Sequence, residues 1–134
     1  MVLQIGSNDG VSTNPIYKLL MQNLDWKAFL VEPAPSLFDK LKRSYQGRAN
    51  TRFLNVAVSD NDIDKPFYHL YDDVNLACPG IPDWYDQLGS FNRDNVANCL
   101  GKECDKYIKQ IIVKSVSFDG LYSSPQSSVF TFFI

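Results

Sequence analysis

The sequence predicts an open α/β sandwich built on a mainly parallel sheet. Three observations carry this. The first half alternates short apolar runs with helical periodicity in the order β-α-β-α-β, the connections are short, and the apolar runs are continuous rather than alternating. Strands covered on both faces read this way, and such an order gives parallel strands joined by right-handed crossovers. The composition fits, since 45% hydrophobic and 21% charged residues describe a folded globular chain rather than a disordered tail, a fibre or a coiled coil. A length of 134 residues suits one domain.

Met1-Val2-Leu3-Gln4-Ile5 is a buried-type strand that stops at Gly6, and Gly6-Ser7-Asn8-Asp9-Gly10 is a cluster of turn formers. Asn14-Pro15 should open a helix, with asparagine as N-cap and proline at the first helical position. Ile16, Leu19, Leu20 and Leu24 then form one apolar stripe for packing on the sheet. Ala28-Phe29-Leu30-Val31 is the second strand and ends at Glu32-Pro33. Ser36 and Asp39 resemble a capping box at the start of a second helix reaching about Tyr45. Leu37, Phe38, Leu41 and Tyr45 make its inner face, Asp39, Lys40, Lys42 and Arg43 its outer one, and Gly47 ends it. Arg52 to Val58 reads as the third strand.

The second half is less regular. Phe67 to Tyr71 alternates weakly as a strand, Pro79 to Pro82 is a loop, and Asp83 to Leu88 is a helical turn. Asn92 to Tyr107 has helical character broken at Gly101; Ile111 to Phe118 reads as a strand and Asp119 to Tyr122 as a short helix start. Ser123 to Ser128 is a polar connector to a final apolar strand, Val129 to Ile134. The first strand starts at residue 1 and the last runs to the end, so the domain is expected to be incomplete at its C-terminus. Val129–Ile134, as an edge strand, is expected to pair with missing sequence or with another chain.

A formal net charge of −2 and a pI near 5.2, with no Lys/Arg-rich run, provide no electrostatic footprint for nucleic acid. No apolar run approaches the ~20 residues of a membrane span, and none has the layout of a signal peptide. Cys78, Cys99 and Cys104 lack C-x-x-C spacing and a nearby histidine, so neither a disulfide framework nor a metal site is expected. Free thiols in a reducing cytoplasm are the expectation.

The informative element is the turn after the first strand. In open parallel sheets, ligands bind beyond the carboxyl ends of the strands, and a glycine there lets a ligand approach the backbone. The spacing here is G-x-x-x-G, and Asn8 stands where a dinucleotide fingerprint would carry its second glycine. A pyrophosphate-bridged cofactor, and with it an NAD-type dehydrogenase, is therefore disfavoured. A nucleoside without that bridge, such as S-adenosylmethionine, fits the looser turn, although a plain strand-to-helix turn would look the same. Glu32 lies 22 residues beyond Gly10, at the tip of the second strand. A carboxylate there can accept hydrogen bonds from both ribose hydroxyls; otherwise it is a solvated acid or a partner for Lys27. Asp9 could take a ligand ammonium group or simply fix the turn.

Val2 to Gly10, Asn14-Pro15-Ile16-Tyr17, Trp26-Lys27 and Leu30-Val31-Glu32-Pro33 resemble FkbM-type S-adenosylmethionine-dependent methyltransferases. The likeness continues through Leu37 to Leu41, Asn55 to Val58, Asp83-Trp84, Leu88 to Phe91 and Val116 to Asp119. It implies the class I methyltransferase (Rossmann-like) open sandwich, truncated after about the fourth core strand, because the family's acidic segment would follow Ile134. It also implies the cofactor-binding residues. Gly6, Ser7, Asn8, Asp9 and Gly10 would line the methionine part, Glu32 would hold the ribose, and Asn55 to Ala57 would border the adenine. Gln4, where many methyltransferases carry an acid, and Pro33 complete the set.

The resemblance implies methyl transfer to a hydroxyl of a small molecule, a sugar or a secondary metabolite. The alternative is a truncated or degenerate, non-catalytic domain that binds nucleoside weakly, or only a protein partner. No general base is assigned. His69, in an aromatic run, reads as a packing histidine; Ser90 and Phe91 could line a substrate or anchor a loop; Trp84 and Tyr85 read as packing residues.

Overall fold

The computed structural model describes residues 1–12, 14–71 and 73–123. The expected final strand Val129–Ile134, and the pairing expected of it, lie outside these residues. The chain divides into two compact units, Met1–Ile63 with the chain from Lys114 onward, and Asp64–Val113.

In the first unit, strands β1 (Val2–Ile5), β2 (Ala28–Val31) and β3 (Thr51–Leu54) form a parallel sheet in that order. The register pairs Val2 with Ala28 and Ala28 with Thr51. Helices α1 (Tyr17–Gln22) and α2 (Pro35–Ser44) are the crossovers. The central strand is buried at all four positions, as its unbroken apolar run requires. Leu20, Ala28, Leu30, Leu41 and Tyr45 form the core, with Val2, Ile16, Tyr17, Phe38 and Phe53 packed around it. Tyr45 meets Tyr17 edge-on at 5.3 Å between ring centroids.

Local readings of the helices are corrected in detail. Asn14 is not the N-cap and Pro15 is not the first helical residue: α1 starts at Tyr17 with Ile16 as an N-cap that lacks a side-chain cap, and Asn14 Oδ1 accepts from the Ile16 N–H at 3.0 Å in the turn before the helix. Helix α1 ends at Gln22, so Leu24 falls beyond the helix where the 3.6-residue repeat no longer applies, and Leu24 and Leu19 are exposed. The Ser36–Asp39 capping box does not form. Helix α2 starts at Pro35, its N-cap Ala34 makes no side-chain cap, and Asp39 pairs instead with Lys42 at 2.9 Å. The expected third strand is two strands. It breaks at Asn55-Val56, and β4 (Ala57–Ser59) pairs in parallel with β7 (Ser115–Ser117) in a separate two-stranded sheet. Ser117 Oγ accepts from the Gly120 N–H at 3.0 Å at the start of α5 (Phe118–Ser123).

In the second unit, β5 (Lys65–Leu70) pairs antiparallel with β6 (Ile108–Val113). Between them lie α3 (Val74–Ala77), a 3-10 turn at Tyr85–Gln87, α4 (Arg93–Leu100) and a 3-10 turn at Asp105–Tyr107. The Asn92 side chain caps α4 by accepting from the Asp94 N–H at 2.9 Å, and Gly101 ends it with φ +75°. Leu70, Val74, Cys78, Val96 and Cys104 form this unit's core.

The expectation of free thiols is overturned at two of three cysteines. Cys78 and Cys104 form a disulfide, with Cα atoms 6.1 Å apart, and Cys99 is free and exposed. Sequence spacing could not show this, because packing of the second core, not proximity along the chain, brings residues 26 apart together. No helix among the described residues is long and apolar enough to cross a membrane.

Candidate functional site

The turn at the carboxyl end of β1 is held from every side. The Gly6 and Ser7 N–H groups both donate to the Val31 carbonyl at 2.9 Å, which carries the chain across the tip of β2. Gly6 has φ +72°, lies exposed, and a Cβ there would meet nothing within 4 Å. Asn8 adopts φ +53°, a left-handed conformation that asparagine tolerates better than most side chains. Its N–H is thereby turned to Glu32 Oε2 at 2.9 Å.

Gly10 is glycine for a different reason. With φ +82°, a Cβ there would stand 2.6 Å from Leu41 Cδ1 and 2.7 Å from Tyr45 Cε2. The turn thus rests directly on α2, and the Ser44 hydroxyl adds a 2.7 Å bond to the Asp9 carbonyl. Burial, with the Tyr17 phenol nearby, pushes the Tyr45 hydroxyl up to about 12; Arg48 and the Asn14 side chain pull weakly the other way.

Asp9 fixes the turn. Its Oδ1 accepts from the Val11 and Ser12 N–H groups at 2.9 and 2.8 Å, and its Oδ2 from the Ser12 hydroxyl at 2.6 Å. Burial raises the Asp9 carboxyl, but the Ser12 hydroxyl, these N–H groups and Lys40 outweigh it and hold its pKa below the ordinary value. Gln4 and Asn14 exchange a reciprocal amide pair, both bonds 3.2 Å, and Asn14 Nδ2 also donates to the Gly10 carbonyl at 2.9 Å.

Glu32 is neither a solvated strand-end acid nor a partner for Lys27. It is 5% exposed, and Lys27 sits at the opposite end of β2. Its Oε1 accepts from the Ala34 N–H and its Oε2 from the Asn8 N–H, each at 2.9 Å. One carboxylate therefore joins the first turn to the entry of α2. Burial raises its pKa above the usual glutamate value, and the two backbone N–H groups only partly counter this. Each oxygen retains acceptor capacity, since a carboxylate has about four lone-pair positions.

Asn55 Nδ2 donates to the Glu32 and Pro33 carbonyls at 2.8 and 3.1 Å, which explains the strand break there. The structure therefore brings Gln4, Gly6, Ser7, Asn8, Asp9, Gly10, Glu32, Pro33 and Asn55 into one hydrogen-bonded group at the carboxyl ends of β1 to β3. Ala57 stands apart, buried in β4 with its N–H committed to the Lys114 carbonyl at 2.8 Å. Asn14, from the loop before α1, and Ser44, from the end of α2, also hydrogen-bond to this turn, and the Tyr45 ring packs against it at Gly10.

The remaining candidates belong to the second unit. His69 is half-buried in β5, opposite Lys109. Ser90 is a loop anchor: it bridges Tyr68 through backbone bonds of 2.8 and 3.0 Å, and its hydroxyl accepts from Asn92 N and Asn95 Nδ2. Phe91 packs edge-on against Phe67, and Trp84 is exposed. Among the described residues, no group of three or more His, Cys, Asp or Glu side chains could hold a metal ion.

No protein-family model, no curated protein and no solved structure matches this chain.

Proposed function

We propose that the chain carries the S-adenosylmethionine-binding turn of an FkbM-type methyltransferase acting on a hydroxyl of a sugar or secondary metabolite. The observation that supports this best is the pairing of an open, exposed Gly6 with a buried carboxylate hydrogen-bonded to the same turn. Gly6 admits a ligand to the backbone, and Glu32 is preoriented by Asn8 and Ala34 with lone pairs left for ribose hydroxyls. When bound, the cofactor supplies a methyl group on a sulfonium centre. This chain's contribution is alignment, and alignment is where much of the rate of a transfer reaction comes from.

A second reading rests on Glu32 itself. Both of its oxygens already hold backbone N–H groups, so it serves the fold whether or not a ligand binds. On that reading the domain is non-catalytic and binds nucleoside weakly, or only a protein partner. Calorimetric titration with S-adenosylhomocysteine separates the two. The methyltransferase reading expects binding that weakens about tenfold or more, on the order of 1.4 kcal/mol, in Gly6→Val. Gly6 is the position to change, because Glu32→Ala would also release the turn. Absence of heat with folded protein, or a preference for NAD, overturns it.

A further inference from the structure

The amino ends of β2 and β3 border a half-open cavity of about 180 Å³, lined by Lys27, Ala28, Phe29, Ala49, Asn50 and Arg52. Because β1 to β3 run parallel, this cavity lies at the opposite end of the sheet from the Gly6–Gly10 turn. Of its lining residues Ala28 and Phe29 are buried, and the register sets Arg52 directly beside Phe29. Lys27 and Arg52 are exposed, no acid lines the cavity, and neither cation has an ion-pair partner among the described residues.

A third cation, Arg48, is 6% exposed, and its five N–H bonds run to the carbonyls of Leu20, Asn23, Trp26 and Asn50 and to the Thr51 hydroxyl. All of these acceptors are neutral, so the guanidinium is satisfied in hydrogen bonds but not in charge. Asn50 belongs both to this set and to the cavity lining. Asp25, two residues before Lys27, is not among the lining residues. Two cations, Lys27 and Arg52, thus line one small recess that has no acid in its lining, and a third, Arg48, is bonded to the carbonyl of the lining residue Asn50. Of these charges only Arg48 is buried; a buried charge left unpaired is costly, and a nearby counter-ion relieves that cost.

We propose that this cavity binds a phosphate-sized oxyanion, either inorganic phosphate or the phosphoryl end of a small phosphomonoester. Arg52 supplies a planar fork matched to two phosphate oxygens, Lys27 a mobile point charge, and Arg48 a fixed positive field. The volume admits a phosphoryl group with a few attached heavy atoms and is too small for a nucleotide, given the roughly 300–1,000 Å³ of common ligand pockets. Phe29 is the apolar ring in the lining that would flank the organic end of an ester.

The test is calorimetric titration of the whole chain at low ionic strength with inorganic phosphate, glycerol 3-phosphate and, as a control, acetate. Saturable one-to-one binding of a phosphate probe, weakened tenfold or more in Lys27→Gln/Arg52→Gln and less than twofold in Gly6→Val, supports the proposal. Tighter binding of the ester identifies a phosphomonoester site; tighter binding of the free ion identifies a phosphate site. Both changed side chains are exposed, and circular dichroism checks that the fold is kept. No saturation, equal affinity for acetate, or binding unchanged in the double variant overturns it. Because the Gly6→Val control reports on the other end of the sheet, failure here and failure of the cofactor reading are distinguishable.

Discussion

Adding one methyl group at Gly10, and another at Gly6, separates packing from access within a single turn. Both glycines have positive φ, +82° and +72°, so alanine at either position carries the left-handed penalty of about 1–2 kcal/mol. At Gly6 nothing more is added, since the new Cβ meets no atom within 4 Å. At Gly10 it would stand 2.6 Å from Leu41 Cδ1 and 2.7 Å from the Tyr45 ring. Leu41 and Tyr45 are 0% and 1% exposed and sit in the middle of the core, so neither can swing aside without disturbing Leu20 and Leu30. Overpacking of this kind typically costs a further ~1–3 kcal/mol. The expected losses are therefore about 1–2 kcal/mol for Gly6→Ala and about 2–5 kcal/mol for Gly10→Ala. Urea unfolding followed by far-ultraviolet circular dichroism measures both, with unchanged slopes as the check that only the native state is affected. Equal losses at the two positions would refute the inference that Gly10 is set by the packing of the turn on α2.

Other expectations follow from the same geometry. Arg48→Lys leaves three donors for five acceptors, so two go unserved at about 1–3 kcal/mol each; thermal unfolding should show a loss of at least ~2 kcal/mol. Reduction of Cys78–Cys104, which closes a 26-residue separation, should destabilise the second unit by about 3.5 kcal/mol on the chain-entropy relation, read as a drop in melting temperature with reductant. Asp9, with its lowered pKa, contributes stability that is present above its unfolded value and lost as pH falls through the folded one, so Asp9→Asn should flatten the acid limb of the stability profile. Glu32, with its raised pKa, works in the opposite sense. Its shift favours folding below about pH 4.5, the ordinary glutamate value, and that contribution is lost as pH rises through the folded value. Urea midpoints across the acid range for Glu32→Gln should show this limb removed; an unchanged profile would count against it.

Much of the first unit was legible in the residues because period and burial coincide there. Ala28 to Val31 is an apolar run and is buried at every position, and the inner face of α2 falls on Leu37, Phe38, Leu41 and Tyr45 as the 3.6-residue spacing requires. Errors lie where a local signal competed with a distant partner. Ser36 and Asp39 have capping-box spacing, yet the N–H at the head of α2 is taken by Glu32 from the end of β2. Phe53-Leu54 and Val56-Ala57-Val58 read as one apolar run with a single polar residue inside it, yet that residue, Asn55, turns back to the Glu32 and Pro33 carbonyls and divides it.

The sequence by itself determined the order and type of the leading elements, the parallel sheet, and the place of the glycine turn and of Glu32 at neighbouring strand tips. Those features depend on side-chain polarity repeating at fixed intervals, which local physics reads directly. Only the tertiary structure decided what the residues there do. It engaged both Glu32 oxygens, closed Asp9 onto its own turn, and separated Gly6, which is open, from Gly10, which is packed. It also joined Cys78 to Cys104 and engaged the Arg48 guanidinium in five hydrogen bonds, one of them to Asn50 of the recess. Each of these depends on groups distant in the chain meeting within a few ångströms, and that distance is set by the packing of whole elements rather than by the residues on either side.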